Sequence, residues 1–349
     1  MSKHHSLLRI YAPSTIISVL LVIYAGIQTG LTGLLLVLTL IALEVSLSFD
    51  NAIVNARILK NMSEGWQKAF LTIGIFIAVF GVRIILPIVL VATAIGGSFG
   101  SVLDLALNHP EEYGHKLHDA HPMIASFGGI FLMMIFLDFF FEKREVKWIK
   151  PFEKFMEAVG SLKNMSPMIA ILAIIASVQI VSEAHKETVV VAGLTGLMVY
   201  LVIHSIDNAL KKTGIEDNLT RGVNATFKAG LIGFIYLEVI DASFSLDGVI
   251  GAFAITNQIL LIAIGLGIGA LYVRTITVHM LHKGVLDNYK FIEHGAHYAI
   301  GILSVIMLLS LKIEIPEIIT GLTGLTVIII SLIHSIRSNK RDHQKLASS

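Results

Sequence analysis

Along this chain, long apolar runs alternate with short polar joins. A helix of about 20 apolar residues spans the hydrocarbon core of a bilayer. Ten such runs can be read, at roughly 8–28, 31–57, 68–95, 122–141, 166–182, 188–210, 229–254, 258–281, 296–311 and 316–336. Gly30, Gly96 with Gly97, Pro110, Pro151, Asn257 and Pro316 punctuate the joins, as helix-breaking residues do. The pattern predicts an all-α polytopic membrane protein of about ten transmembrane helices.

Positive charge then sets the orientation. With the N-terminus inside, only Lys116, Lys186 and Lys312 fall in outer segments, and Arg83 and Arg274 lie within spans. The other 21 of the 26 Lys and Arg residues fall in inner segments. Both termini are therefore expected in the cytoplasm, as in a multi-pass protein of a bacterial inner membrane. Composition points the same way: 15% of residues are charged and 55% hydrophobic, against about 25% charged in soluble domains. The net charge of +1 argues for no nucleic-acid partner, because the charges sit in loops and tails. The absence of cysteine excludes disulfides, thiolate metal sites and iron–sulfur clusters. The basic, then apolar, start is laid out like a signal peptide but has a poor cleavage pattern, so a retained first helix is expected.

The polar residues inside the spans carry the chemistry. "LEVSLSFDNAIV" (43–54) places Glu44 and Asp50 in an apolar run, with Ser46, Ser48 and Asn51 around them. "LEVIDASFSLDGVIGAF" (237–253) aligns with it. Asp50 then meets Asp247, Ser48 meets Ser245, Ser46 meets Ser243, Glu44 meets Asp241 and Asn51 meets Gly248. The following span repeats as well, since Gly74 precedes Arg83 by the same spacing that separates Gly265 from Arg274. "HDAH" (118–121) and "HGAH" (294–297) come third in the same order. The first motif runs from outside to inside and the second from inside to outside. Two inverted three-helix repeats are expected, with a site where they meet. The divisions are an N-terminal helix (1–30), the first repeat (31–142), a basic segment with an inserted hairpin (143–228), the second repeat (229–312), and a last helix with its tail (313–349).

A carboxylate at the centre of a membrane helix costs about 2.5–3.5 kcal/mol on insertion scales, so Glu44, Asp50, Glu238, Asp241 and Asp247 need compensation. At 100° per residue, Glu44, Ser48 and Asn51 share one face, and Glu238, Asp241, Ser245 and Gly248 share the matching face. Asp50 with Ser46, and Asp247 with Ser243, lie about 120° round. A local unwinding could unite the two faces. Carboxylate, hydroxyl and amide oxygens suit hard divalent cations such as Mn²⁺, Mg²⁺ and Ca²⁺. Glu44, Asp50, Asn51, Glu238, Asp241 and Asp247 are thus the candidate metal ligands. Ser46, Ser48, Ser243, Ser245, Gly248, Arg83 and Arg274 are their supporting partners. Two other readings stay open: the acids pair with Arg83 and Arg274 and only hold the bundle, or they relay protons without metal. Outside the spans, His115, His118 and His121 in the loop 109–121 could collect metal or be a solvated polar loop. No nucleotide loop or catalytic triad is present, so no enzyme is expected.

Four segments, "LEVSLSFDNAIVNA" (43–56), "ASFGGIFLMMIFLDFFFE" (125–142), "LEVIDASFSLDGVIGAFAIT" (237–256) and "IEIPEIITG" (313–321), resemble the TerC integral membrane family, of tellurium-resistance and manganese-exporter type. The likeness covers 31–142 and 229–336. It implies a lysine-exporter-like fold with acidic membrane motifs on Glu44, Asp50, Asn51, Asp241 and Asp247. The chain departs from that pattern at Gly248, where a serine is usual, and in the inserted spans 166–210. The expectation is an exporter of a divalent cation, Mn²⁺ first, with protons in possible exchange. Its partners would be the metal and the lipid bilayer, with no permanently bound cofactor. The alternative is a non-transporting membrane scaffold in a stress-resistance or secretion complex.

Overall fold

The computed structural model describes residues 7–212, 223–256, 258–285, 289–313 and 315–348, and among these the secondary structure is helical throughout. The helices are α1 (Leu7–Leu47), α2 (Phe49–Lys60), α3 (Glu64–Leu71), α4 (Ile73–Phe76), a π-helix (Ile77–Ile85), α5 (Leu86–Ile95), α6 (Phe99–Asn108), α7 (Pro110–Asp119) and α8 (His121–Phe141). They continue as α9 (Lys150–Gly160), α10 (Met165–Ile180), α11 (Lys186–Lys212), α12 (Val223–Ile255), α13 (Ile259–His282), α14 (Ile292–Leu309) and α15 (Glu317–Ser348).

Among the described residues, seven helical stretches are long and apolar enough to cross a membrane, or eight if α9 and α10, bent by 99°, form one span. The protein is a multi-pass helical membrane protein. The ten runs read from the sequence do not map one to one onto these stretches. α1 is one helical run broken at Gly30. α12 covers the run at 229–254, but several of its side chains lie outside the described residues. At Gly30 (φ 69°, ψ −161°) the backbone enters a region essentially restricted to glycine. Residues from both arms of α1, among them Ala25 and Val37, pack on Leu261, Ile264 and Ile268 of α13.

α8 and α13 are the most buried spans. α8 owes this to small residues. A side chain on Gly128 or Gly129 would run into Met307 or Leu308 of α14, and one on Gly196 of α11 would meet the Phe127 carbonyl. Small residues let membrane helices approach closely where the hydrophobic effect cannot drive them together. The largest apolar cluster joins α2, α8, α10, α11, α12, α14 and α15 through residues such as Ile53, Phe131, Ile174, Tyr200, Phe244, Ile300 and Ile328.

The loop expected at 109–121 is helical instead. Tyr113 and Leu117 of α7 and its C-cap Ala120 form a buried stripe at the spacing of one helix face, and Tyr113 packs edge-on against Phe253 of α12. Burial pushes the Tyr113 phenol above its usual range.

Candidate functional site: an intramembrane carboxylate–arginine cluster

The motif residues lie where α1 gives way to α2. The helix breaks at Ser48 (φ −103°, ψ 12°), a small version of the unwinding the two split faces call for. Ser48 still bonds Glu44 through its backbone amide, at 3.0 Å, and through its hydroxyl, at 2.9 Å. Glu44 is fully buried. It fits because two glycines face it: a Cβ on Gly248 of α12 would lie 2.9 Å from Glu44 Oε2, and one on Gly269 of α13 would overlap the Glu44 side chain.

Arg83 reaches Glu44 from the π-helix. Its Nη2 donates to Glu44 Oε1, its Nη1 donates to the Ala78 carbonyl at 2.7 Å, and Nη1 lies 3.9 Å from Asp241 Oδ2. A π-helix widens each turn and shifts the phase of the residues after it, and such segments recur at functional sites. Arg274 of α13 is the second cation. It donates through Nη2 to Glu238 Oε2 at 3.0 Å and to Asp241 Oδ2 at 3.3 Å, and through Nη1 to the Phe70 carbonyl at 2.9 Å. Its guanidinium also sits 4.1 Å over the Phe70 ring. Gly74 makes room for this pair, because a Cβ there would collide with Arg274 Nη1 and Glu238 Oε1.

Asp241 is the hub. Besides both arginines it accepts a bond from Asn51 Nδ2 at 2.8 Å. The five charged side chains are at most 10% exposed. Three carboxylates thus face two guanidiniums, leaving one formal negative charge. Among the described residues, Glu44 Oε2, Asn51 Oδ1 and Ser245 Oγ are buried without a hydrogen-bond partner, as are the donors Arg83 Nε and Arg274 Nε.

The other predicted residues go elsewhere. Asp50 is buried on a different face of α2, in a water-sized cavity lined by Ser46, Leu47, Ala299, Leu303, Thr320 and Gly324. Its Oδ1 accepts the Asn51 amide at 2.9 Å. Asp50 and Glu44 are therefore not united in one site. Ser243 bonds the Val239 carbonyl of its own helix. Asp247 lies on helical backbone, but its side chain is outside the described residues. His115 and His118 are exposed on α7, while His121 starts α8 and contacts Ser310 at 3.2 Å. Among the described residues no three His, Asp or Glu side chains converge as a metal-binding group, in the outer helix or in the membrane. Gly74, Gly269 and Phe70 were missed as site residues. The glycines alone left a trace in the sequence, as small residues in apolar spans.

A second cluster closes one end of the bundle. Arg144 stacks 3.9 Å over Phe139, and the His297 ring also stacks on Phe139, at 3.6 Å. Glu293 pairs with Arg57 and, at 3.8 Å, with Arg144. Burial and the nearby Arg57 hold the Arg144 pKa below its usual value. Asp138 accepts from the Tyr200 hydroxyl of α11 at 2.8 Å.

Fold and site together define a polytopic helical membrane protein with a buried charge network between its helices. The chain belongs to a family of proteins of unknown function, DUF475, whose model matches residues 49–342. The match takes in Asp50, Arg83, Glu238, Asp241 and Arg274 and begins just after Glu44. This corrects the resemblance to the TerC family, which the family match does not uphold. The segments that suggested it are short acid-and-serine patterns in apolar helices, and they specify a buried polar cluster rather than one lineage. No curated protein and no solved structure matches the chain.

Proposed function

We propose that this protein is a membrane transporter that moves a hard divalent cation through the cluster formed by Glu44, Asn51, Glu238 and Asp241. One observation carries the reading: the acids outnumber the arginines in a buried network that also holds Glu44 Oε2 and Asn51 Oδ1, which have no partner among the described residues. Oxygen donors of this kind select cations such as Mn²⁺, Mg²⁺ or Ca²⁺. With the family resemblance withdrawn, nothing singles out Mn²⁺ or fixes export as the direction.

In this reading Arg83 and Arg274 are resident counter-ions. They hold the carboxylates when no substrate is bound and swing aside when a divalent cation takes their place. That exchange avoids leaving three uncompensated charges in a low-dielectric interior. Asp50, on another face without an arginine, is suited to carry an exchanged proton. The ten crossings, the inverted repeat and the placement of both termini in the cytoplasm belong to the same proposal. Its support is the recurrence of one acid–arginine pair in each half, Glu44 with Arg83 and Asp241 with Arg274.

A second reading has its own observation. Every described acid of the cluster has a guanidinium partner, as a scaffold braced by internal ion pairs requires. Purified protein in sealed liposomes loaded with a divalent-cation indicator separates the two. A transporter gives saturable entry of at least one of Mn²⁺, Mg²⁺ or Ca²⁺. Flux no greater than in protein-free liposomes for all three contradicts transport and leaves the scaffold.

A further inference from the structure

The reading above makes no use of a large groove at the start of α9. It has a volume of about 670 Å³ and runs between α9, α14 and α15. That volume lies within the roughly 300–1,000 Å³ typical of small-molecule sites. Its floor is apolar, with Ile302, Val327 and Ile330, and its rim is polar, with Trp148, Lys150 and His334. The rim follows the span that ends at Phe141 and lies beside the last turns of the span Leu322–Lys340. It therefore sits at a membrane–water boundary, where tryptophan is enriched.

The rim chemistry is one-sided. Trp148 Nε1 donates to His334 Nδ1 at 2.9 Å. A neutral His334 accepting there must carry its proton on Nε2, which leaves that N–H as a donor. The nearby acids are committed elsewhere. Glu153 accepts the Trp148 and Ile149 amides and the Tyr298 hydroxyl, and Glu157 pairs with Lys147 at 2.9 Å. Lys150 pairs with no carboxylate among the described residues. The rim thus offers a cation and a donor with no acid paired to the cation among the described residues. Alongside it, α9 exposes Phe152 and Phe155 next to Lys154 before the chain bends by 99° into α10. That is the layout of a helix lying in the interface.

We propose that this groove binds one anionic phospholipid. The headgroup phosphate engages Lys150 and His334 at the rim, and an acyl chain lies along Ile302, Val327 and Ile330. Charge complementarity selects an anionic lipid over a zwitterionic one.

Trp148 is a built-in reporter. The chain has 2 tryptophans, and Trp66→Phe leaves Trp148 alone. In phosphatidylcholine nanodiscs, lipids with brominated chains quench a tryptophan they touch. Brominated phosphatidylglycerol should half-quench Trp148 at a mole fraction about fivefold lower than brominated phosphatidylcholine, the effect of one basic residue near an anionic surface. Lys150→Glu should abolish the difference and Lys150→Arg should keep it. Excess inorganic phosphate should leave the quenching unchanged, and displacement by phosphate would overturn a lipid occupant. Equal quenching by the two lipids overturns the proposal. Native mass spectrometry tests it without replacing Trp66. The unmodified chain should retain one phosphatidylglycerol and lose it on Lys150→Glu, and equal retention of phosphatidylcholine would contradict the proposal.

Discussion

Glu44 and Asp50 belong to one short motif, yet they face different surroundings. Glu44 enters a network with Arg83, and through it reaches Asp241 and Arg274. Asp50 faces a water-sized cavity against α14 and α15, with no basic side chain in its lining. The difference is a matter of helix phase. Ser48 and Asn51 follow Glu44 round to α12 and the π-helix, whereas Asp50 points away from them. The first carboxylate is held by fixed charges, and removing it disturbs its partners. The second can gain or lose a proton without stranding a cation.

The largest expected effect breaks the first environment. Glu44→Gln or Arg83→Gln alone leaves a buried charge without its partner, which costs about 3–5 kcal/mol. Each single variant should give a low yield of monodisperse protein in detergent and a much lower unfolding temperature. Glu44→Gln combined with Arg83→Gln should recover most of the loss. No recovery in the double variant would show that the pair is not the source of the cost.

Gly74→Ala tests the second arginine more gently. The added methyl meets Arg274 and Glu238, and overpacking of this kind costs about 1–3 kcal/mol. Gly100→Ala on α6 is the matched control, since nothing lies near its Cβ position. Thermal unfolding should show Gly74→Ala less stable than wild type and Gly100→Ala unchanged or slightly more stable. The reverse order would mean that the Arg274 pocket is looser than its geometry.

The smallest effect on stability belongs to the other half of the comparison. Asp50→Asn removes a carboxylate with no ion pair among the described residues and keeps an oxygen for the Asn51 amide. Its unfolding free energy should change by less than about 1 kcal/mol, while proton-coupled flux falls to background. A collapse in stability as large as that of Glu44→Gln would erase the distinction drawn here.

Much of this arrangement was legible from spacing. The face shared by Glu44, Ser48 and Asn51 gives the Ser48–Glu44 bond and the Asn51–Asp241 bond, and the displaced face of Asp50 gives its separation. Other parts leave no periodic trace. The π-helix that carries Arg83 looks in sequence like any apolar helix, so the phase that turns Arg83 onto Glu44 was hidden. The glycines at 74, 248 and 269 matter only through what lies opposite them, which is a tertiary fact. Polar composition suggested a loop at 109–121, but Tyr113, Leu117 and Ala120 supply enough of an apolar stripe to fold α7. The break at Gly30 inside α1 and the bend between α9 and α10 are tertiary features that decide what counts as one span, and apolar periodicity alone does not mark them. The family was misread for a related cause: short acid–serine motifs record a local need for buried polarity, not ancestry.

The most direct test of the central claim uses the charge-neutral double variant Glu44→Gln/Arg83→Gln, chosen because it should fold. Reconstituted in indicator-loaded liposomes beside wild type, it should be inserted at an equal protein-to-lipid ratio. Its flux of the cation that wild type carries should be at least tenfold lower, as the loss of about 1.4 kcal/mol of substrate binding requires. Undiminished flux in that well-folded variant would mean that the cluster braces the helices and carries no cation.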